Sequence, residues 1–428
     1  MTRNSLAFRL YQLVIFILAP LLVVFFLLRS VTHREYRQRL SERFGWVRSG
    51  MKSGGIVVHA ASVGEVIAIK PFVEGVIARF PELPITVTTF TPTGSAQVVK
   101  SFQGRVQHCY LPLDISFCVH LFFKLLRPKA VVLMETELWP TLIQRCAKSD
   151  IALLLINARL SDKSMKQYKK LTWLISPALN KFDQILCQSG DHADNFIALG
   201  AKTDIVSVSG NLKYDISLTT DVEQMIAELK QSLAPSTRRI IVFGSSHQGE
   251  EAQMLKALTA LKDKLPGLLL IVVPRHPERF DDVAALIDRN HFKCVRRSDK
   301  SQVDVEHDVW LIDTLGELFA CYALADICVV AGSFSAIGGH NPLEPALFAK
   351  PIVVGPNMAN FKEVNQQLID GRGIVQLAHN EELASTLFHL LNDTHLRSDL
   401  GRNAQRVVTA NQGATQQSIE VLANLLSQ

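Results

Sequence analysis

No two of the seven cysteines, at positions 109, 118, 146, 187, 294, 321 and 328, stand as a CxxC pair. That excludes a disulfide framework or a zinc ribbon as an organising device, and the cysteines, several inside apolar runs, read as reduced core residues. No GxxxxGK[ST] loop and no GxSxG elbow occurs, and no set of His, Cys, Asp and Glu has metal-ligand spacing. The chain therefore carries no sign of nucleoside-triphosphate, serine-hydrolase or metal chemistry. Low-complexity linkers are missing, as is any basic stripe interleaved with aromatics. A net charge of +5 is small for 428 residues, and much of it lies near the N-terminus, so the composition points away from nucleic acid.

What is abundant is apolar sequence, at 48% with a positive mean hydropathy. Part of the excess is one run, residues 10–28, which holds no charge and is long enough to cross a bilayer as a helix. A signal peptide would be shorter and would end in a small-x-small cleavage site; here Arg29 follows directly. The expectation is a retained single-pass anchor. Arg3 and Arg9 precede it, whereas Arg29, Arg34, Arg37, Arg39 and Arg43 follow, which orients the bulk of the chain to the cytoplasm. Residues 34–44 read as a short basic helix near the membrane surface, or as a solvated linker, with the positive charge drawn to lipid headgroups.

A chain of 428 residues exceeds what one core usually serves. Apolar, β-branched runs at 56–59, 85–90, 108–111, 130–134, 151–156, 184–188 and 205–209 alternate with helical stretches such as 66–80, 94–102, 118–126 and 141–148. The runs are continuous rather than alternating, as parallel strands buried on both faces require. The pattern restarts after a helical segment at 218–234, with strands expected at 239–243, 268–274, 309–312, 327–330, 351–354 and 373–375. The expected fold is α/β, with two Rossmann-like, doubly wound domains facing each other across a cleft. The divisions are an anchor at 1–30, a first domain at 31–215 and a second at 216–428 that ends in helices. A weak internal echo fits two such halves: Gly64-Glu65 and Gly249-Glu250 each open a helix after a strand.

The polar residues gather at strand ends. After the run at 327–330, Gly338 and Gly339 allow positive φ and close backbone approach, and free amides at a helix start favour an anion. Ser333, Ser335, His340, Asn341 and Glu344 crowd the same place, more than a tight turn with an N-cap demands. Glu65 follows His59, Ser62 and Gly64 where an open sheet binds ligands, the place for a general base; a carboxylate there also serves the helix dipole. Glu135 and Glu137 follow the run at 130–134, and a buried carboxylate implies a partner or a function. Lys213, in Asn211-Leu212-Lys213-Tyr214-Asp215 at the joint, either reaches the cleft or is a surface lysine. Arg275 offers a planar fork for phosphate and His276 a directed donor. Thr314, Leu315, Gly316 and Glu317 end the next strand, so three consecutive strand ends of the second domain offer groups to one anionic ligand.

Taken together, His59-Ala60-Ala61-Ser62-Val63-Gly64-Glu65, Met134-Glu135-Thr136-Glu137-Leu138-Trp139-Pro140, Asn211 to Asp215, Pro274-Arg275-His276-Pro277-Glu278-Arg279-Phe280 and Gly332 through Pro345 resemble the bacterial 3-deoxy-D-manno-octulosonic acid (Kdo) transferases of lipopolysaccharide synthesis. The resemblance runs from end to end. It implies the GT-B architecture, with acceptor binding in the first domain and CMP-Kdo binding mainly in the second. It also implies metal-independent, inverting transfer of Kdo to a tetraacylated lipid A precursor at the cytoplasmic face of the inner membrane. Carried over by position, Glu65 is the base, Glu135 and Lys213 stabilise the transition state, and Arg275, His276, Leu315, Gly316, Glu317 and the segment from Asn341 to Glu344 contact CMP-Kdo. The family often has Met where Leu315 stands. No separate cofactor is implied: CMP is a good leaving group, so the enzyme's task is to hold its negative charge and activate an acceptor hydroxyl.

Two other readings fit parts of the pattern. A nucleotide-sugar epimerase of similar two-domain fold needs carboxylates and a phosphate cradle, though no membrane anchor. A membrane-tethered protein that binds a sugar nucleotide without turnover needs the first domain's carboxylates to be structural.

Overall fold

The computed structural model describes residues 3–32, 34–216, 218–234 and 238–427, without the side chains of 3–7, 23, 25–27, 30, 32 and 34. Two units divide the chain, the first of residues 1–215 and 411–428, the second of 216–410. In the first unit lie β1 (Ile56–His59), β2 (Ile85–Thr89), β3 (Gln107–Tyr110), β4 (Ala130–Met134), β5 (Ala152–Ala158), β6 (Gln184–Cys187) and β7 (Val206–Val208). They form one parallel sheet in the order β3-β2-β1-β4-β5-β6-β7. Successive residues of these strands point to opposite faces: Val57, Val131, Leu133 and Leu155 join one core, while Ile56, Val58, Val132 and Ile156 join the other. Both faces are covered by helices, which is why the strands read as continuous apolar runs.

The second unit holds β8 (Ile240–Ser246), β9 (Leu269–Pro274), β10 (Cys294–Arg296), β11 (Val309–Leu311), β12 (Ile327–Val330), β13 (Ile352–Val354) and β14 (Ile374–Gln376), again all parallel. Their order, β10-β11-β9-β8-β12-β13-β14, places the reversal of chain direction between β8 and β12. Loops leave the two strands to opposite sides there, and that divergence opens the crevice where doubly wound sheets take ligands. Strand β10 was not expected; it is a three-residue edge strand, too short to show as a run.

Three expectations are altered. The N-terminal run is a helix, Arg3–Thr32, but some side chains of the expected anchor lie outside the described residues, and among the described residues no helix is long and apolar enough to cross a membrane. Part of the segment expected to be solvated at the membrane surface is built into the first unit. Glu42 and Arg43 are buried, the Glu42 carboxylate accepts from Arg39, Arg48 and the Tyr110 amide, and the Arg43 guanidinium lies over the Tyr110 and Phe90 rings. Burying a carboxylate requires such partners, and the arginines supply them. Finally, residues 411–428, expected in the second domain, belong to the first unit. There helix Ala414–Ser427 packs on helix Val63–Arg79, with Ile419 and Leu422 in the core of Val66, Ile69 and Val73. The seven cysteines are all free, and all but Cys294 are buried.

Candidate functional site

In the first unit the chemistry sits at the carboxyl ends of β1, β4 and β5. Ser62 caps helix Val63–Arg79 by accepting from the Glu65 amide, and the Glu65 carboxylate returns the favour: Oε2 accepts from the Ala61 amide at 2.8 Å and Oε1 from the Ser62 hydroxyl at 2.8 Å. This is the reciprocal cap of a Ser-x-x-Glu helix start. The helix start was expected to favour the ionised form. Instead burial raises the Glu65 pKa by more than these donors lower it, with the charge of Glu137 adding to the rise. A half-buried carboxylate of raised pKa is a stronger base than a free one.

His59, wholly buried at the end of β1, is oriented through Nδ1 by Thr88, and its Nε2 lies 3.4 Å from Glu137 Oε2. Burial pushes the Glu137 carboxyl up, but His59 and the Trp139 indole N–H outweigh it, and the group titrates below the ordinary range. Glu65 and Glu137 thus form a pair whose affinities for a proton are driven apart. The sequence pointed to a partner or a function for Glu135 and Glu137 together and gave a specific role to Glu135 alone; the partner of Glu137 is His59. Glu135 stands at φ 60°, a backbone conformation that costs a non-glycine residue energy and concentrates at functional sites. Asn157, at φ 51° on the adjacent strand, is also strained, and its Oδ1 holds the Leu212 amide. Asn211 holds the Lys213 amide, and the turn Leu212–Tyr214 packs against helix Val63–Arg79, so Lys213 is carried on the element beside that of Glu65.

In the second unit, the turns after β8, β9 and β12 bring His247, Arg275, His276, His340 and Glu344 into one cluster. His247 Nε2 is 2.7 Å from His340 Nε2, and the His276 ring meets His247 edge-on with centroids 5.3 Å apart. The Arg275 amide donates to the Ser246 carbonyl, which fixes the β9 turn against β8. Burial, then the charges of His247, Arg275 and His276, depress the His340 pKa to about 4, and burial raises Glu344 to about 7 against the lowering pull of Asn341 and Arg275. Asn341 Oδ1 accepts from the Leu343 amide, one residue beyond the N-cap Pro342 of helix Leu343–Leu347.

The glycine turn departs from expectation. Gly338 and Gly339 have φ of 100° and 81°, but both their amides donate to the Gly332 carbonyl rather than pointing at an anion. The Ser333 hydroxyl is equally committed, donating to Val330 O and accepting from the Gly355 amide. Glu317 accepts from Thr314 and from the Arg297 guanidinium, so its carboxylate braces the β10–β11 edge, whereas Leu315 is 72% exposed and Gly316 has φ of 89°. Any ligand contact there falls to the backbone and the Leu315 side chain. The helix that follows, Leu318–Leu324, carries Tyr322 to the side of Gly244, where a β-carbon would meet its hydroxyl at 2.2 Å. Groups able to meet an anion are therefore the side chains of the histidine and arginine cluster. His247 and Glu250 were missed as site residues. The Gly249-Glu250 echo was the signal, since Glu250 accepts from the amides of His247, Gly332 and Phe334 and so ties the β8 and β12 turns together. Among the described residues no group of three His, Cys, Asp or Glu side chains is placed to hold a metal ion.

Residues 38–216 match the family model described as 3-deoxy-D-manno-octulosonic-acid transferase (kdotransferase). The 3-deoxy-D-manno-octulosonic acid transferase of Haemophilus influenzae is 38% identical over 96% of this chain and 97% of its own, and that of Bordetella pertussis is 31% identical over 86% and 87%. The chain belongs to the Kdo transferase family. It is thus a glycosyltransferase, and the match spans both units. Among solved structures, a Neisseria meningitidis UDP-GlcNAc 2-epimerase is 12% identical at TM-score 0.55, covering 88% of this chain and 99% of that one. A Rickettsia africae glycosyltransferase is 13% identical at TM-score 0.53, covering 87% and 99%. At such identities these neighbours share the GT-B-like fold, and the likeness to the epimerase carries no activity with it.

Proposed function

We propose that this Kdo transferase takes Kdo from CMP-Kdo and inverts the anomeric centre as it joins the sugar to a tetraacylated lipid A precursor. The donor meets the second unit's cluster. Arg275 and the histidines hold the phosphate, Glu344 and Asn341 hold the nucleoside, and the backbone at 315–317 lines the base. In the first unit Glu65 accepts the acceptor hydroxyl's proton, and Glu135 and Lys213 stabilise the charge that develops. The bond from the anomeric carbon to the phosphate oxygen breaks as the bond to the acceptor oxygen forms, and CMP leaves with the bonding electrons. The observation that carries this reading is the extent of the 38% identity to a Kdo transferase, which runs over 96% of the chain and so spans both units.

The N-terminal helix is part of the proposal. Leu13, Phe16, Ile17, Leu21 and Leu28 are all more than half exposed, which leaves an apolar helix face that lipid would cover. The helix is held to the first unit by the Tyr11 hydroxyl, which donates to Asp114 at 2.8 Å. A lipid acceptor calls for such a placement, at the cytoplasmic face of the inner membrane. Incubation with labelled CMP-Kdo and the lipid A precursor tests the whole reading. The expected product is the glycosylated lipid with release of CMP; an isomerised sugar nucleotide, or binding without turnover, would overturn it.

A further inference from the structure

The couple formed by His247 and His340 has a proton count fixed by its geometry. Two imidazole Nε2 atoms 2.7 Å apart share one proton, one ring donating and the other accepting. In the neutral couple the donating ring leaves its Nδ1 bare, and the accepting ring carries its proton on Nδ1. One added proton goes to the bare Nδ1 and leaves the inner bond intact, now charge-assisted. A second would set two N–H groups against each other. The couple therefore has room for one proton and resists two.

The surroundings hold this geometry. Glu250 fastens the backbone of both turns, and the His340 ring lies on Gly332, where a β-carbon would stand 2.8 Å from Cδ2 and 3.0 Å from Nε2. Arg275, His276 and Arg279 face the couple from the β9 turn and Glu251 from helix Glu250–Lys262, where Glu250 holds the His247 amide, while Glu344 of helix Leu343–Leu347 faces Arg275. Glu251 is tied up by Arg279 at 2.6 Å. Burial and the neighbouring positive groups lower the pKa of both histidines, which favours the neutral couple. An anion placed against Arg275 offsets the positive charge that lowers the two histidines and so favours the added proton.

We propose that His247 and His340 act as a proton-sharing couple that takes up one proton when the donor's phosphate binds and gives it back when CMP leaves. This rests on the donor assignment above and adds to it a residue, His247, and a stoichiometry. The gain is that the site is fully cationic only while occupied, so the positive charge that steadies the leaving phosphate does not destabilise the empty fold.

The test uses cytidine 5′-(methyl phosphate), a diester whose own phosphate does not titrate near neutrality. Calorimetric titration of the full chain in two buffers of different ionisation enthalpy, near pH 6.5, reads the protons taken up on binding. The expected result is an uptake approaching one proton for the wild type and a markedly smaller one for His247→Gln and for His340→Gln, each read at diester concentrations that saturate its weaker binding. Affinity should tighten with falling pH by up to about tenfold per unit, the limit for one linked proton, and less steeply in the variants. Binding without uptake, or uptake unchanged in both variants, overturns the couple and leaves the donor site standing; unchanged uptake would assign the proton to His276 or Glu344. An uptake of two protons overturns the shared-proton count. No binding of the diester by the wild type overturns the donor assignment and the couple with it.

Discussion

Glu65 and Glu250 each complete a Gly-Glu pair in the first turn of a helix that follows a strand, the third residue of one helix and the first of the other, yet their carboxylates do different work. Glu250 is 1% exposed and receives three backbone amides. Glu65 receives one amide and one hydroxyl, stands only partly buried, and keeps lone pairs for a substrate proton. Glu65→Gln should therefore lower kcat by about 10²–10⁴-fold while thermal stability hardly changes, because a glutamine oxygen still accepts from Ala61. Glu250→Gln should do the reverse: its NH₂ would face amide donors, an unpaired arrangement costing about 1–3 kcal/mol. Parallel melting and turnover measurements on the two variants decide it, and a stable, fully active Glu65→Gln protein would remove Glu65 from the reaction. The sequence pointed to both glutamates through the echo but could not separate them. What separates them is the fold, which brings Gly332 and Phe334, more than eighty residues away along the chain, onto Glu250 and nothing equivalent onto Glu65.

Among the elements, strands were legible wherever burial on both faces demands continuous apolar sequence, as in β4 and β9. Strand β10 was not, because three residues at a sheet edge need no such run. The glycine turn after β12 was legible as a place where positive φ is needed, but not in what its amides do. With the amides of Gly338 and Gly339 spent on the Gly332 carbonyl, the turn is a support that sets His340 against His247, and the proposed anion site relies on side chains. Gly339→Ala should disturb that support. Its β-carbon would lie 2.3 Å from Met358 Sδ and its φ is 81°, a conformation that costs an L-residue about 1–2 kcal/mol. The thioether can shift, so the expected outcome is a lower melting temperature for the second unit and a raised KM for the donor, with the first unit unchanged. Hydrogen exchange resolved by peptide separates the units, and an unaltered donor KM would show that the turn does not set the histidines.

At the scale of the whole chain, the boundary after residue 215 could be read from the restart of the strand pattern, but the return of the C-terminus could not. Helix Ala414–Ser427 is amphipathic like its neighbours, and nothing in that pattern says which core it completes. The structure supplies the missing long-range partners. The Asp215 carboxylate accepts from the amides of Gly413 at 2.6 Å and Thr415 at 2.5 Å, capping the helix, and Gly75 lets the helix approach until a β-carbon there would lie 2.3 Å from Ile419 Cδ1. Ile419 and Leu422 lie in the same core as Val66 and Ile69, on the helix whose first turn carries Glu65. Burying two such side chains contributes about 1.5–3 kcal/mol each. Removal of residues 411–428 should therefore weaken the first unit, which ended in sequence nearly two hundred residues earlier, and leave the second unit's donor binding intact. Leu422→Ala offers the milder version, with an expected loss of about 2–5 kcal/mol confined to the first unit. Exchange protection across residues 56–80 should fall in both variants while that across 240–276 holds, and turnover should drop with the first. If protection instead falls first in the second unit, the C-terminal helix does not belong to the core assigned to it, and Glu65 is held by something else.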